Sequence, residues 1–219
     1  MRPSPRDDSL PHVAALCTWW HLAPEAVSSL LGSGVRVAAV AGDFPSGQAA
    51  LADKVTEIES AVGDGADEID AVINRETFLS GDERAVYEEI VAFRTAAAAA
   101  RLKIILETGE LESLDAIRHA ALVAMAAGAD MVKTSTGKMS PGATPEAALV
   151  MAEAVKDFNE TTGKDVGLKV AGGVRSPEQA VTYIRLVDSV LGAEWAAPQR
   201  FRIGASSLLE TLVTELELP

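Results

Sequence analysis

The chain has little of several things, and each scarcity narrows what it can be. It holds one cysteine, Cys17, in 219 residues. No disulfide framework can form within it, so a reducing cytoplasm is the expected setting. Its histidines, His12, His21 and His119, show no paired spacing, and no metal is expected. No apolar run reaches membrane-spanning length; even the alanine run 96–100 is flanked by Arg94 and Arg101. The opening MRPSPRDDSL lacks the apolar core of a secretory leader, so residues 1–10 read as a disordered tail. Positive charge is scarce as well. The net charge is −13, and no basic stripe exists to displace counterions from nucleic-acid phosphates. An acidic chain can still form one local positive pocket for a small anion. No G-x-G-x-x-G follows a strand-like run and no P-loop is present. Nucleotide binding therefore has no support, and no cofactor is expected.

What is present is a regular alternation. Short, nearly continuous apolar runs occur at 13–19, 35–42, 68–74, 102–108, 130–135, 166–173 and 200–207. Such runs suit strands buried on both faces. Helical patterns lie between them. Leu51, Val55, Ile58 and Val62 form one apolar stripe, and Val181, Ile184, Val187 and Leu191 form another. Thr144-Pro145-Glu146 and Ser176-Pro177-Glu178 each read as an N-cap, a first-turn proline and an acid. Gly63, Gly65 and Gly128 stand where helices should stop. Strand starts recur about every 30 residues, the length of one βαβ unit, which predicts a parallel sheet. No linker interrupts residues 11–219, so they read as one domain. An open doubly wound sheet and a barrel both fit this pattern. Chemistry spread over several strand ends favours a TIM-type (β/α) barrel, although seven strands are recognisable where a closed barrel has eight.

Lys133 lies in the apolar run GADMVKTSTGK, and Lys169 lies in GLKVAGG on the next run. Two ammonium groups facing each other disfavour protonation, and a neutral lysine is the nucleophile that forms a Schiff base with a carbonyl. Alternatively each lysine snorkels past a strand end or pairs with a carboxylate. Asp70, between apolar neighbours in EIDAVIN, is either a proton shuttle or the buried partner of one of these lysines. Asp67 and Glu68 read as a solvated or capping start of that strand, and Glu107 as a residue that orients the site or satisfies a loop. Gly172-Gly173, and Gly204-Ala205-Ser206-Ser207 leading into the last helix, form a candidate phosphate cradle on the last two strands. Thr136-Gly137-Lys138 could add a hydroxyl, an amide and a charge. Cys17 reads as a small core or pocket-lining residue.

Together the motifs DFPSGQ, GADEIDAVIN, LKIILETGEL, GADMVKTSTGK, GLKVAGGVRS and FRIGASSLL resemble the deoxyribose-phosphate aldolases, in particular their eukaryotic-type branch. The resemblance spans roughly residues 12–212. It implies a metal-free class I lyase of deoxyribonucleotide catabolism that reversibly cleaves 2-deoxy-D-ribose 5-phosphate to D-glyceraldehyde 3-phosphate and acetaldehyde. It also implies that Lys133 forms the Schiff base, that Lys169 lowers its pKa and that Asp70 aids proton transfer. Gly137, Lys138, Gly172, Gly173, Ser206 and Ser207 would bind phosphate, and Cys17, Thr136 and Gly204 would line the pocket. A homodimer or homotetramer is implied as well. The chain departs from the family at Val170, where proline is common, and at Thr18-Trp19-Trp20, where an aromatic-proline ending is usual. The family's first strand and the helix after it have no counterpart. Two alternatives therefore stand beside the main reading: a catalytically impaired aldolase-like chain, and a Schiff-base aldolase for another sugar phosphate.

Overall fold

The computed structural model describes residues 11–216, so the expected tail at 1–10 lies outside the described residues. Each apolar run forms a strand: β1 Ala15–Trp19, β2 Arg36–Ala41, β3 Glu68–Val72, β4 Arg101–Ile105, β5 Met131–Lys133, β6 Gly167–Ala171 and β7 Phe201–Gly204. All neighbours pair in parallel, in chain order from β1 to β7. The connecting helices are α1 Ala23–Leu30, α2 Leu51–Gly63, α3 Arg75–Leu79, α4 Glu83–Ala97, α5 Leu114–Ala126, α6 Pro145–Thr162, α7 Pro177–Leu191 and α8 Leu208–Leu216.

Side-chain contacts decide between the two sheet geometries. In a flat sheet β3 and β7 would stand about 19 Å apart, four inter-strand steps of about 4.8 Å. Yet Arg202 on β7 reaches Glu68 on β3 at 3.0 Å, and Lys169 on β6 reaches Asp70 on β3 at 2.6 Å. The sheet therefore curls into a barrel wall with these side chains inside, as the barrel expectation requires. Alternate strand residues face the other way. Ile69, Leu102, Ile104, Val132, Leu168 and Val170 join the apolar layer under the helices, with Ile58, Ile90, Phe93, Met125 and Met151. That two-residue period separates a charged interior from an apolar outer core. Among the described residues β1 and β7 each pair on one side only, matching the seven-strand expectation.

The helix starts follow the predicted chemistry. The Thr144 hydroxyl accepts the Ala147 N–H at 3.2 Å, and Ser176 and Gln179 form a reciprocal capping box at α7. The apolar stripes need correction. In α2 the inward face is Lys54, Ile58 and Ala61, while Leu51 is exposed. Lys54 can be buried because its ammonium binds the Glu89 carboxylate of α4 and the Gly47 carbonyl. In α7 the inward face is Ala180, Tyr183 and Val187; Val181 and Ile184 face outward.

Candidate active site

A cavity of about 420 Å³ opens at the C-terminal ends of β1, β5, β6 and β7, the end at which barrel enzymes carry their chemistry. Lys133 closes β5 and Lys169 sits on β6, paired in register, and both ammonium groups enter this cavity from below. Both are buried. Asp70 lies beneath them with no exposed surface; its Oδ2 accepts from Lys133 at 2.7 Å and from Lys169 at 2.6 Å. Nucleophile candidate and ion pair, the two readings of Lys133, are therefore one arrangement.

The lysines differ although they share an oxygen. Burial pushes the Lys133 ammonium toward losing its proton; Asp70 opposes this and Lys169 reinforces it, and the net direction is down. Burial acts on Lys169 in the same way and most strongly, but the attraction and hydrogen bond of Asp70, together with the smaller pull of the other acidic groups around it, outweigh it and hold Lys169 above its ordinary value. Asp70 itself loses solvation on burial, but Lys103, Lys133 and Lys169 outweigh that loss and hold it well below the carboxylate range. The geometry thus contains one carboxylate, one persistent ammonium and one amine that gives up its proton more readily. An amine in that state can attack a carbonyl.

The residues expected to form a phosphate cradle come together around the lysines. Gly137, Lys138, Gly172, Gly173, Ser206, Ser207, Cys17, Thr136 and Gly204 all line the same cavity. Two glycine positions are dictated by packing. Gly172 has φ +95°, and a Cβ on Gly142 would meet the Gly172 carbonyl oxygen at 2.6 Å. The loop after β5 therefore passes directly over the loop after β6. Thr134 ties the two strand ends together, donating to the Ala171 carbonyl and accepting its N–H, each at 2.9 Å. Glu107, in a left-handed conformation at φ 52°, binds both the N–H (3.1 Å) and the hydroxyl of Thr136. These bonds hold the loop after β5 at the cavity wall, an arrangement that fits either role its sequence context allowed.

Some residues of the site escape the sequence reading. Arg175 adds a cation at the cavity wall, two positions after the Gly172-Gly173 pair. Trp19 and Phe44 form an edge-to-face pair at 5.3 Å on the opposite side, and Lys138 Nζ lies 5.9 Å from the Trp19 ring. Glu68 is corrected outright. Far from being solvated, it is fully buried, 2.7 Å from Lys103 and 3.0 Å from Arg202. Asp67 does take the expected capping role, accepting the Val37 N–H at 2.8 Å. His119 lies beside Glu83 on the outer surface, 2.9 Å away. Among the described residues no cluster of metal-ligating side chains occurs.

Fold and site define a class: a (β/α)-type barrel with two buried lysines sharing one carboxylate at the floor of a cavity lined by glycine-rich loops. The chain belongs to the DeoC/LacD family of aldolases, whose family model matches residues 24–212. It is 46% identical over 212 residues to the deoxyribose-phosphate aldolase of Mus musculus, covering 96% of this chain and 67% of that protein. It is 45% identical over 207 residues to the corresponding enzyme of Agrobacterium fabrum, covering 94% and 78%. Among solved structures it resembles the tetrameric deoxyribose phosphate aldolase of Aeropyrum pernix, with a TM-score of 0.71 and 26% identity over 92% of this chain and 76% of that one.

Proposed function

We propose that the chain is a deoxyribose-phosphate aldolase that uses Lys133 as its Schiff-base nucleophile. The observation that carries this reading is the shared carboxylate. Two buried lysines divide one Asp70 oxygen, and the one whose pKa is lowered lines a cavity roofed by an anion cradle. Neutral Lys133 attacks the C1 carbonyl of the open-chain sugar phosphate, and water leaves as the imine forms. The protonated imine draws in the electron pair of the C2–C3 bond as it breaks. The C3 hydroxyl loses its proton, and glyceraldehyde 3-phosphate departs. Protonation of the enamine at C2 and hydrolysis release acetaldehyde and return Lys133. Lys169 stays charged and keeps its neighbour Lys133 inclined to the neutral form, and Asp70, between the two amines, aids the proton transfers. Gly137, Lys138, Gly172, Gly173, Ser206 and Ser207 hold the phosphate, while Cys17, Thr136 and Gly204 shape the pocket around the carbon chain.

Incubation with acetaldehyde and borohydride, read by intact mass, tests the reading. We expect one reduced two-carbon adduct on Lys133 and none in Lys133→Ala. An adduct that persists in Lys133→Ala would sink the assignment. Comparable kcat/KM for a longer ketose phosphate would count against deoxyribose 5-phosphate as the substrate.

The tetrameric Aeropyrum pernix relative supports a homo-oligomer, and sedimentation measures it. The lone cysteine supports a cytoplasmic setting. No helix of the described residues is long and apolar enough to cross a membrane.

A further inference from the structure

We propose that Lys103, a residue outside the substrate cavity, is a positioning residue that forces Lys133 and Lys169 to share one carboxylate oxygen and so keeps Lys133 ready to lose its proton. The inference rests on the Schiff-base reading of Lys133. Lys103 stands on β4, in register with Asp70 on β3, and has no exposed surface. Its ammonium binds Asp70 Oδ1 at 2.6 Å and lies 2.7 Å from Glu68 Oε2. Glu68 is held in turn by Arg202 at 3.0 Å, with Arg36 at 3.6 Å. Lys103 is therefore fixed between two carboxylates and cannot reach the substrate.

The effect follows from counting oxygens. Asp70 has two. With the Lys103 ammonium on Oδ1, a second cation there would meet its repulsion, and Lys133 and Lys169 both fall on Oδ2, at 2.7 and 2.6 Å. Two ammonium groups on one oxygen repel each other in a medium that screens poorly. One of them yields its proton. Without Lys103 each active-site lysine could own an oxygen, and both would remain charged. Among the described residues Glu68 and Asp70 pair with Lys103, Lys133, Lys169 and Arg202, with the half-exposed Arg36 farther out, so cations outnumber the two carboxylates of this network. Cys17 on β1 is the other titratable group that faces Lys133. Apolar residues commonly replace a whole buried ion-pair cluster at no loss of stability, whereas removing Lys103 alone leaves Glu68 and Asp70 short of a counter-charge and costs stability. A loss of stability in Lys103→Met is therefore expected on either account, and the pH profile is what separates a positioning role from a structural one.

The test measures borohydride trapping of acetaldehyde on Lys133 against pH, with the intact chain and its variants. The midpoint of the acidic limb reports where Lys133 becomes neutral. Lys103→Met is expected to move that midpoint up by about one pH unit or more, the scale of shift a close charge produces. Lys103→Arg, which keeps the charge, should hold the midpoint within a few tenths of a unit. Glu68→Gln should move it in the opposite direction, because Lys103 then faces Asp70 without its second counter-charge. A Lys103→Met protein that melts cooperatively, traps less acetaldehyde and keeps the wild-type midpoint would overturn the proposal and leave Lys103 a structural residue. If Lys103→Met does not fold, an unmoved or raised midpoint in Glu68→Gln overturns it instead. Absence of any adduct on wild-type Lys133 would reject the Schiff-base reading and this inference with it, an outcome distinct from trapping with an unmoved midpoint.

Discussion

Asp70 balances three lysines with two oxygens, so any change in the number of claimants moves the others. Removing Lys169 leaves Oδ2 to Lys133 alone. The Lys133 ammonium is then better stabilised and its pKa rises. Since the neutral amine reacts, the acidic limb of the rate profile of Lys169→Leu should shift to higher pH, and kcat near neutral pH should fall. An unchanged profile would contradict this. Glu107 touches the cavity only through its hydrogen bonds to Thr136, and if it positions that residue for substrate its loss should show in KM. A hydrogen bond to a charged group contributes about 1.5–3 kcal/mol, so Glu107→Gln should raise KM for the phosphorylated substrate about tenfold while changing kcat less. Equal loss in kcat and kcat/KM would place Glu107 in the chemistry instead. Lys133, Lys169 and Asp70 are legible in the sequence because a charge inside an apolar run needs a reason. Lys103 in RLKII carries the same signal and goes unread. Glu68 is misassigned because it begins its run, where solvated acids are ordinary. The period of two is what would have exposed it: Glu68 and Asp70 are two residues apart and must face the same side.

At the scale of elements, strands are easier to read than helix faces. A parallel strand is apolar on both sides, so a short continuous run identifies it whichever way it turns. A helix face is inferred from its large apolar residues, and that inference misleads when small residues pack closest. Ala61 and Ala180 take the inner positions of α2 and α7, and the paired Lys54 takes another. The corrected face of α2 makes a paired prediction. Ile58→Ala, at a fully buried site, should cost about 2–5 kcal/mol in urea unfolding. Leu51→Ala, at the exposed end of the expected stripe, should stay within about 0.5 kcal/mol. Equal costs would restore the stripe drawn from the sequence. Caps followed by a proline, at Thr144 and Ser176, are legible because they are set by residues adjacent in the chain, whereas Asn74, Asp82 and Ser113, which cap α3, α4 and α5 without one, go unread. Ser176→Ala should therefore lower stability by about 1 kcal/mol without moving KM, since the capping box lies at the start of α7.

The whole molecule turns on how the sheet is bounded. Curvature is not written in any single run; it emerges from inward side chains that meet across several strands, as Arg202 meets Glu68. The same curl brings Cys17 and Trp19 of β1 to one side of the cavity and Ser206 and Ser207, just past β7, to another. The least-paired strands of the described sheet thus frame the site. Cys17 and Trp19 are exposed, whereas every residue of β3 is buried. A strand paired on one side opens locally more easily than one held on both. Amide hydrogen exchange should then rank the strands. The amides of β3, β4 and β5 should exchange only through global unfolding, while those of β1 exchange orders of magnitude faster through local opening. Binding of deoxyribose 5-phosphate should slow β1 and the loop after β7 together, because one ligand would bridge both sides of the cavity. If β1 is instead as protected as β4 without ligand, the edge it leaves unpaired among the described residues is covered, and sedimentation tests whether a second copy of the chain covers it. Protection that follows protein concentration would identify that cover as another subunit.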